Sequence, residues 1–463
     1  MSAHAAAVDD AGDVLGDLPV IVVGAGPVGL AAAAHLLEQG LEPLILEAGG
    51  RPGAAVREWS HVRLFSPWRY TLDDASRRLL EATGWSAPQP DALPWARELL
   101  TEYVEPLAAV PALRDRLRLG VRVTAVSRGG RDKTHARARS SAPFVVRTEE
   151  ARAGGRRVVE HRARAVVDAG GTWGRPNPAG ANGLPAIGEE DPATAEHLAR
   201  ALPDVLGTDR ADFVGRSTLV VGAGHSAVTT LLDLVRLARE EPGTEAVWAI
   251  RGDDPSRTYG GRDADGLPAR GMLGARLQRA VEEGLVRLEA RAAVQAMRPG
   301  PAGGLVVEVG AGRRRRELAV DRLVRATGFR PDLEMLRELR IQLDPAVEAP
   351  VRLAPMIDPE VHSCGTVPAH GADALAHPED GVFIVGMKSY GRAPTFLLAT
   401  GYEQVRSVAA HLAGGDGSVR DLALPETGVC SAAAAVDEGR GEAGGDLPRL
   451  GVPTGLAHGR AGD

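Results

Sequence analysis

The sequence predicts an α/β protein in which one dinucleotide-binding, Rossmann-like domain carries a second, smaller one as an insertion. Two observations carry that prediction. Short runs of β-branched and aliphatic residues alternate with helix-period stretches along most of the chain, the pattern of buried parallel strands joined by helices. One device also occurs twice: VIVVGAGPVGLAAAAHLLEQG near the start is echoed about 200 residues later by STLVVGAGHSAVTTLLDLVRLARE. Each copy reads as strand, glycine turn and helix, so two nucleotide ligands are expected.

Taken in order, residues 1–17 are acidic and aperiodic and are expected to form a disordered N-terminus. Residues 18–185 form the first part of the first dinucleotide domain, with strands expected at 20–23, 44–46 and 165–167. Between 119 and 165, two or three polar strands broken by Gly and Arg suit a small antiparallel meander. Residues 186–326 form the inserted unit, with strands at 218–221 and 247–250. Residues 327–413 return to the first domain through a strand at 382–385, and 414–463 are expected to be a poorly ordered tail.

Composition removes several classes of function. The 463 residues leave room for two or three domains, and 44% hydrophobic with 25% charged residues is the balance of a protein with a core. Net charge is -7 and no basic block exceeds Arg313 to Arg316, so no nucleic acid partner is expected. No apolar stretch reaches about 18 residues, which argues against a membrane span. The N-terminus has neither the basic nor the apolar region of a signal peptide, and a cytoplasmic protein is expected. Two cysteines, Cys364 and Cys430, cannot build a disulfide framework or a four-cysteine zinc site, and no metal is expected. Lysine occurs only at Lys133 and Lys388 against 52 arginines, which marks any retained lysine for attention.

The first glycine turn is Gly24-Ala25-Gly26-Pro27-Val28-Gly29. Gly24 permits the tight turn, Gly26 lets a pyrophosphate approach the backbone, and Gly29 lets helix and strand pack closely. The helix N-terminus offers free amides to phosphate. Glu47 ends the next strand 18 residues past Gly29, where an acid accepts ribose hydroxyls. An unrelated glycine-rich turn would need none of these companions.

The second turn is Gly222-Ala223-Gly224-His225-Ser226-Ala227. Its following strand ends at Ile250-Arg251, with Arg257 beyond. An arginine there pairs with a 2′-phosphate, which favours NADPH over NADH; the alternative is an ordinary surface charge in an arginine-rich chain. Asp168-Ala169-Gly170-Gly171 and Arg325-Ala326-Thr327-Gly328 close the two halves as strand-to-loop crossings, where small residues let backbones pass.

In this order, the motifs resemble the two-dinucleotide-binding-domain flavoproteins, over roughly residues 18–412. Within them the chain is most similar to the flavin-containing monooxygenases and related FAD/NADPH-dependent oxidoreductases. The resemblance implies a three-layer ββα FAD-binding domain with an inserted NAD(P)-binding domain. It implies FAD on Gly24, Gly26, Pro27, Gly29 and Glu47, and NADPH on Gly222, Gly224, His225, Ser226 and Arg251. Trp59, Thr327, Gly328 and Gly386 join them as expected cofactor-binding residues. There are departures. The fingerprint FxGxxxHxxx(W/Y) has only His197 to offer, with Asp191, Ala193 and Ala201 in place of Phe, Gly and the aromatic. No CxxC is present, and Met387 follows Gly386 where many disulfide-reductase relatives carry Asp.

Two stretches are candidates for the reacting site. Residues 58–70 hold four of seventeen aromatics (Trp59, Phe65, Trp68, Tyr70) with His61, Arg63 and Arg69; aromatic walls suit a flat ring, and the charges suit an anionic substrate. The bland alternative is an aromatic mini-core. Residues 386–395 hold Lys388, where a compact ammonium suits a reduced, anionic flavin; the alternative is a surface lysine. Lys388, Arg63 and His61 are the catalytic candidates. Cys364 sits between His362 and His370, and free cysteines are more often inert. The resemblance implies that NADPH reduces FAD and that a flavin C4a-hydroperoxide oxygenates a small nucleophilic substrate. The partners are then that small molecule and dioxygen, with a homo-oligomer left open. The runner-up is an NADPH-dependent reductase of a quinone, a disulfide or an electron carrier.

Overall fold

Two parallel sheets, each built around the strand that feeds a glycine turn, organise the computed structural model. It describes residues 15–152, 155–301, 303–358, 367–394, 396–422 and 424–425. The first half runs β1 (Val20–Val23), α1 (Pro27–Glu38), β2 (Pro43–Glu47), α2 (Asp74–Glu81) and β3 (Leu117–Leu119). An antiparallel meander follows, β4 (Val121–Arg128), β5 (Phe144–Arg152) and β6 (Gly155–Ala163), and then β7 (Ala165–Asp168). The inserted unit runs β8 (Leu198–Ala199), β9 (Ser217–Val221), α3 (His225–Glu240), β10 (Glu245–Ala249), α4 (Pro268–Glu282) and β11 (Val286–Glu289). It continues through β12 (Val294–Pro299), β13 (Leu305–Ala311) and β14 (Arg314–Val320) to β15 (Arg322–Arg325). The chain then returns for β16 (Val382–Ile384) and α5 (Leu398–Leu412).

The first sheet has the order β16-β7-β1-β2-β3 and the second β11-β10-β9-β15-β8. In both, the strand before the glycine turn lies between its successor and the return strand: β7 and β2 flank β1, and β15 and β10 flank β9. That is a topological switch point, where a crevice opens at the carboxyl ends of the strands. The four β1 residues are all buried, as a strand covered on both faces requires. Helix α1 is buried nearly all round, and its run of alanines lets it lie closely against the sheet and α5. Val220 and Trp248 anchor a separate core under α3.

Both halves carry an antiparallel meander. The first, at 121–163, lies within the stretch where polar strands were expected. It is tied down by Glu379, whose buried carboxylate receives Arg128 at 2.8 Å and Arg139 at 2.8 Å. The second, β12-β13-β14, was not foreseen. Its last strand begins within the four-arginine run, which reads as a charge block rather than a strand. In the fold Arg315 pairs with Glu308 on β13, and Arg316 reaches Glu289 on β11.

The expected disorder of both ends needs correction where the structure describes them. Leu15–Asp17 form a 3-10 turn, and the Gly16 carbonyl accepts from Arg164 at 3.3 Å; residues 1–14 lie outside the described residues. The start of the tail folds back on α5: the Arg420 amide donates to Glu403 at 2.5 Å, and the Ser407 hydroxyl donates to the Gly417 carbonyl. Residues 426–463 lie outside the described residues.

Candidate functional site

The two glycine turns are built alike. Gly24 has φ +95, and a Cβ there would stand 2.9 Å from the Ala169 carbonyl oxygen on the first crossing. Gly222 has φ +140, and its Cβ would stand 2.1 Å from the Ala326 carbonyl oxygen on the second. The first glycine of each turn is therefore required by the crossing beside it. Gly29 is required by close packing, since a Cβ would stand 2.0 Å from the Gly24 carbonyl oxygen. By contrast, a Cβ on Gly26 or Gly224 would meet nothing within 4 Å. These open cradles sit where a pyrophosphate needs bare backbone. Neither α1 nor α3 has a side-chain cap, which leaves first-turn amides for the phosphates.

Glu47 is buried at the end of β2 and receives the Ala25 and Gly49 amides, each at 2.7 Å. Each carboxylate oxygen keeps a second lone pair for a ribose hydroxyl. A ribose site and a phosphate cradle thus stand together, and the first turn fits a dinucleotide.

A cavity of about 510 Å³ begins here. Gly24, Gly26, Pro27, Val28 and Glu47 line one end, and His225, Ser226 and Thr229 of α3 line the other. Its walls are aromatic. Trp173 lies 4.8 Å from Phe329 and 6.4 Å from Trp59 between ring centroids, and Phe65 lies 4.9 Å from the His225 ring. Gly386, Met387 and Phe396 to Leu398 border it where α5 begins. The Gly386 amide is already donated to Gln404 at 2.7 Å, in a buried network with Ser389 and His370.

His225 opens α3 directly after Gly224. Its ring is accessible from the cavity yet closely surrounded by protein. Burial first, and then the positive charge of Arg270, lower its pKa to about 4, so it is neutral at pH 7. Arg270 is buried against Asp265 at 2.8 Å, and its guanidinium lies 6.0 Å from the Phe65 ring.

The other expected site residues fall differently. Trp59 and Arg63 line the cavity, with Arg63 exposed. Among the described residues, His61, Gly29, Gly222, Gly224, Arg251, Thr327, Gly328 and Lys388 are not in its lining. Arg251 is exposed past the end of β10 and donates to the Ala181 carbonyl at 3.2 Å. Thr327 and Gly328 join the two crossings: the Thr327 hydroxyl donates to the Asn177 carbonyl at 2.8 Å, and the Asn177 amide donates to the Gly328 carbonyl at 2.9 Å. His197 contacts the Asp321 carbonyl, and Cys364 lies outside the described residues.

Lys388 requires a correction. It is buried, so it is not a surface lysine, and its ammonium meets Asp168 at 2.6 Å rather than the cavity. Asp168 is fully buried at the end of β7 and also receives the Gly170 amide at 3.0 Å. The pair fastens the loop after β16 to the first crossing, whose Ala169 to Trp173 line the cavity. Sequence reasoning noted the Asp168 crossing only for its small residues. It missed the wall made by Trp173 and Phe329, which stand more than 100 residues from the aromatic run at 58–70.

Residues 21–352 match the family described as pyridine nucleotide-disulphide oxidoreductases. No curated protein matches the sequence. Among solved structures, the chain resembles the bacillithiol disulfide reductase Bdr (YpdA) from Bacillus cereus at 20% identity and TM-score 0.62, covering 86% of this chain and 99% of that one. It resembles the cadaverine monooxygenase DfoA from Erwinia amylovora at 16% identity and TM-score 0.59, covering 87% and 96%. It also resembles thioredoxin reductase from Lactococcus lactis at 18% identity and TM-score 0.53, covering 86% and 98%. At these identities the likeness shows the fold. The match over residues 21–352 goes further: the chain belongs to the pyridine nucleotide-disulphide oxidoreductase family, and it is an FAD- and NAD(P)-dependent oxidoreductase built on two dinucleotide-binding units.

Proposed function

We propose that the protein is a flavin monooxygenase that consumes NADPH and dioxygen to oxygenate a small nucleophilic organic substrate. One observation carries the reading: a single cavity, walled by Trp59, Trp173 and Phe329, runs from the first glycine turn to the first residues of α3. FAD held by the first turn would supply the hydride-accepting and oxygen-activating chemistry. The chain's own residues do the rest. Glu47 and the open turn at Gly26 hold ribose and pyrophosphate, and the α1 amides offset the phosphate charge. The first residues of α3 bring the second dinucleotide to the same cavity. Trp59, Trp173 and Phe329 exclude water from the reacting ring, and Arg63 at the exposed side orients an anionic group of the substrate. Lys388 and His61 have no contact role in this reading.

Mixing the NADPH-reduced protein with dissolved dioxygen tests the reaction. The expected result is a transient absorbing between the oxidised and reduced bands, on the millisecond-to-second scale, before oxidised flavin returns. Direct return of oxidised flavin with release of peroxide would favour a reductase. One observation favours that second reading: Asp191 and Ala193, in the degraded fingerprint, serve only to cap a short helix, with the Ala193 amide donating to Asp191 at 2.8 Å.

The cofactor preference has its own test. Arg251→Ala is expected to weaken NADPH about tenfold or more, the value of a charge-assisted contact, and to leave NADH unchanged. Dissociation constants from fluorescence titration would measure it. Equal losses for both cofactors would remove Arg251 from the 2′-phosphate site.

A further inference from the structure

The two dinucleotide-binding units touch across the cavity as well as sharing it. On the flavin side Phe65 presents its ring, and on the inserted side the His225 ring lies on it at 4.9 Å with an interplanar angle of 43°. His225 is the first residue of α3, so its ring is fixed to the backbone that receives the second dinucleotide. Behind it, Arg270 and Asp265 form a buried ion pair on the inserted unit, with the guanidinium turned to the same phenyl ring. The seam is crossed again where Glu58 accepts from Arg200, beside β8, at 2.9 Å; within the flavin side Glu58 also accepts from the Trp173 indole at 2.9 Å.

We infer that His225 is a positioning residue: by docking on Phe65 it seats the start of α3 over the flavin cavity, and the two units keep this arrangement while NADPH reduces FAD. The inference rests on the reading that NADPH reduces the flavin in this cavity. The step is a two-electron transfer in which NADPH becomes NADP+ and FAD takes the hydride as FADH−. No rotation of one unit against the other is needed, because the first residues of α3 already border the space on which the first turn opens. A neutral imidazole suits the contact, since a charged ring in the seam would face the Arg270 guanidinium. Asp265, the other ionised group at this face, is already engaged by Arg270.

A cross-link across the seam, at side chains that do not line the cavity, tests the arrangement. In a Cys364→Ser/Cys430→Ser background, Glu58→Cys and Arg200→Cys would be bridged with a short bis-maleimide. Bridging is expected to be near complete by mass spectrometry, with or without NADPH. The bridged protein should be reduced by NADPH within about twofold of the unbridged sample, because gating motions are not part of this step. Poor bridging, or loss of NADPH reduction while dithionite still reduces the flavin, would overturn the inference. Ring variants supply the second arm. At saturating NADPH, His225→Ala should slow flavin reduction about tenfold with the flavin spectrum unchanged, as misplacement of a reacting group does. His225→Phe should restore it, since docking needs only a ring. Phe as slow as Ala, or Ala as fast as wild type, would sink the docking role. A wild-type protein that NADPH fails to reduce would defeat the functional reading itself, a result distinct from these.

Discussion

A Gly29→Ala protein is expected to be purified without its yellow colour, whereas Gly222→Ala should stay yellow and lose NADPH. In the first, the new methyl would stand 2.0 Å from the Gly24 carbonyl oxygen, so the turn that holds the pyrophosphate must open. In the second, the methyl would stand 2.1 Å from the Ala326 carbonyl oxygen, on a backbone already at φ +140. Neither obstacle is a flexible side chain that can swing aside. Both are main-chain carbonyl oxygens, one in the first glycine turn and one in the second crossing. The distortions are confined to different sheets, so the two ligands should be lost separately. Flavin content by absorbance and NADPH affinity by titration would measure both. Gly222→Ala should weaken NADPH about 100-fold, roughly 2.7 kcal/mol, with full flavin occupancy. A Gly222→Ala protein that loses flavin and keeps NADPH would reverse the assignment of the two turns.

Lys388→Met should be the most destabilising single change in the flavin half. It leaves Asp168 buried without its ammonium, and breaking a buried pair in this way costs about 3–5 kcal/mol. Asp168→Leu/Lys388→Met removes both charges and should recover most of that loss. Lys388→Arg should not rescue, because the ammonium is buried against Asp168 at 2.6 Å and a guanidinium is wider. Urea unfolding of the four proteins would give the ranking. If Lys388→Met unfolded like wild type but lost flavin reactivity, the expectation of a direct role beside the flavin would stand instead.

The glycine and lysine variants mark how far the sequence could be read. The glycine turns were legible because their chemistry is local: turn, cradle and helix start lie within a few residues, and the strand before them announces itself by composition. Glu47 was legible for the same reason. Lys388 was noticed by its rarity, yet its partner lies 220 residues away, and no local signal says which acid a lysine will meet. The aromatic wall was half legible. Trp59 and Phe65 stood out as a cluster, while Trp173 and Phe329 stood alone beside crossings and gained meaning only when the two crossings met. The second meander was hidden because its last strand opens with consecutive exposed arginines, whose partners sit on neighbouring strands.

The meeting of the crossings has a consequence for how such a chain could be assembled. Residues 175–177 and 328–330 lie side by side: the Arg330 amide donates to the Arg175 carbonyl at 3.0 Å, and Pro176 bridges Phe329. Everything between them leaves and re-enters the flavin half through one narrow neck. The ends of the insertion are therefore already close together in space. A long loop pays little more in closure entropy than a short one. For the flavin half, the whole inserted unit then counts as a single surface loop, closed at its neck.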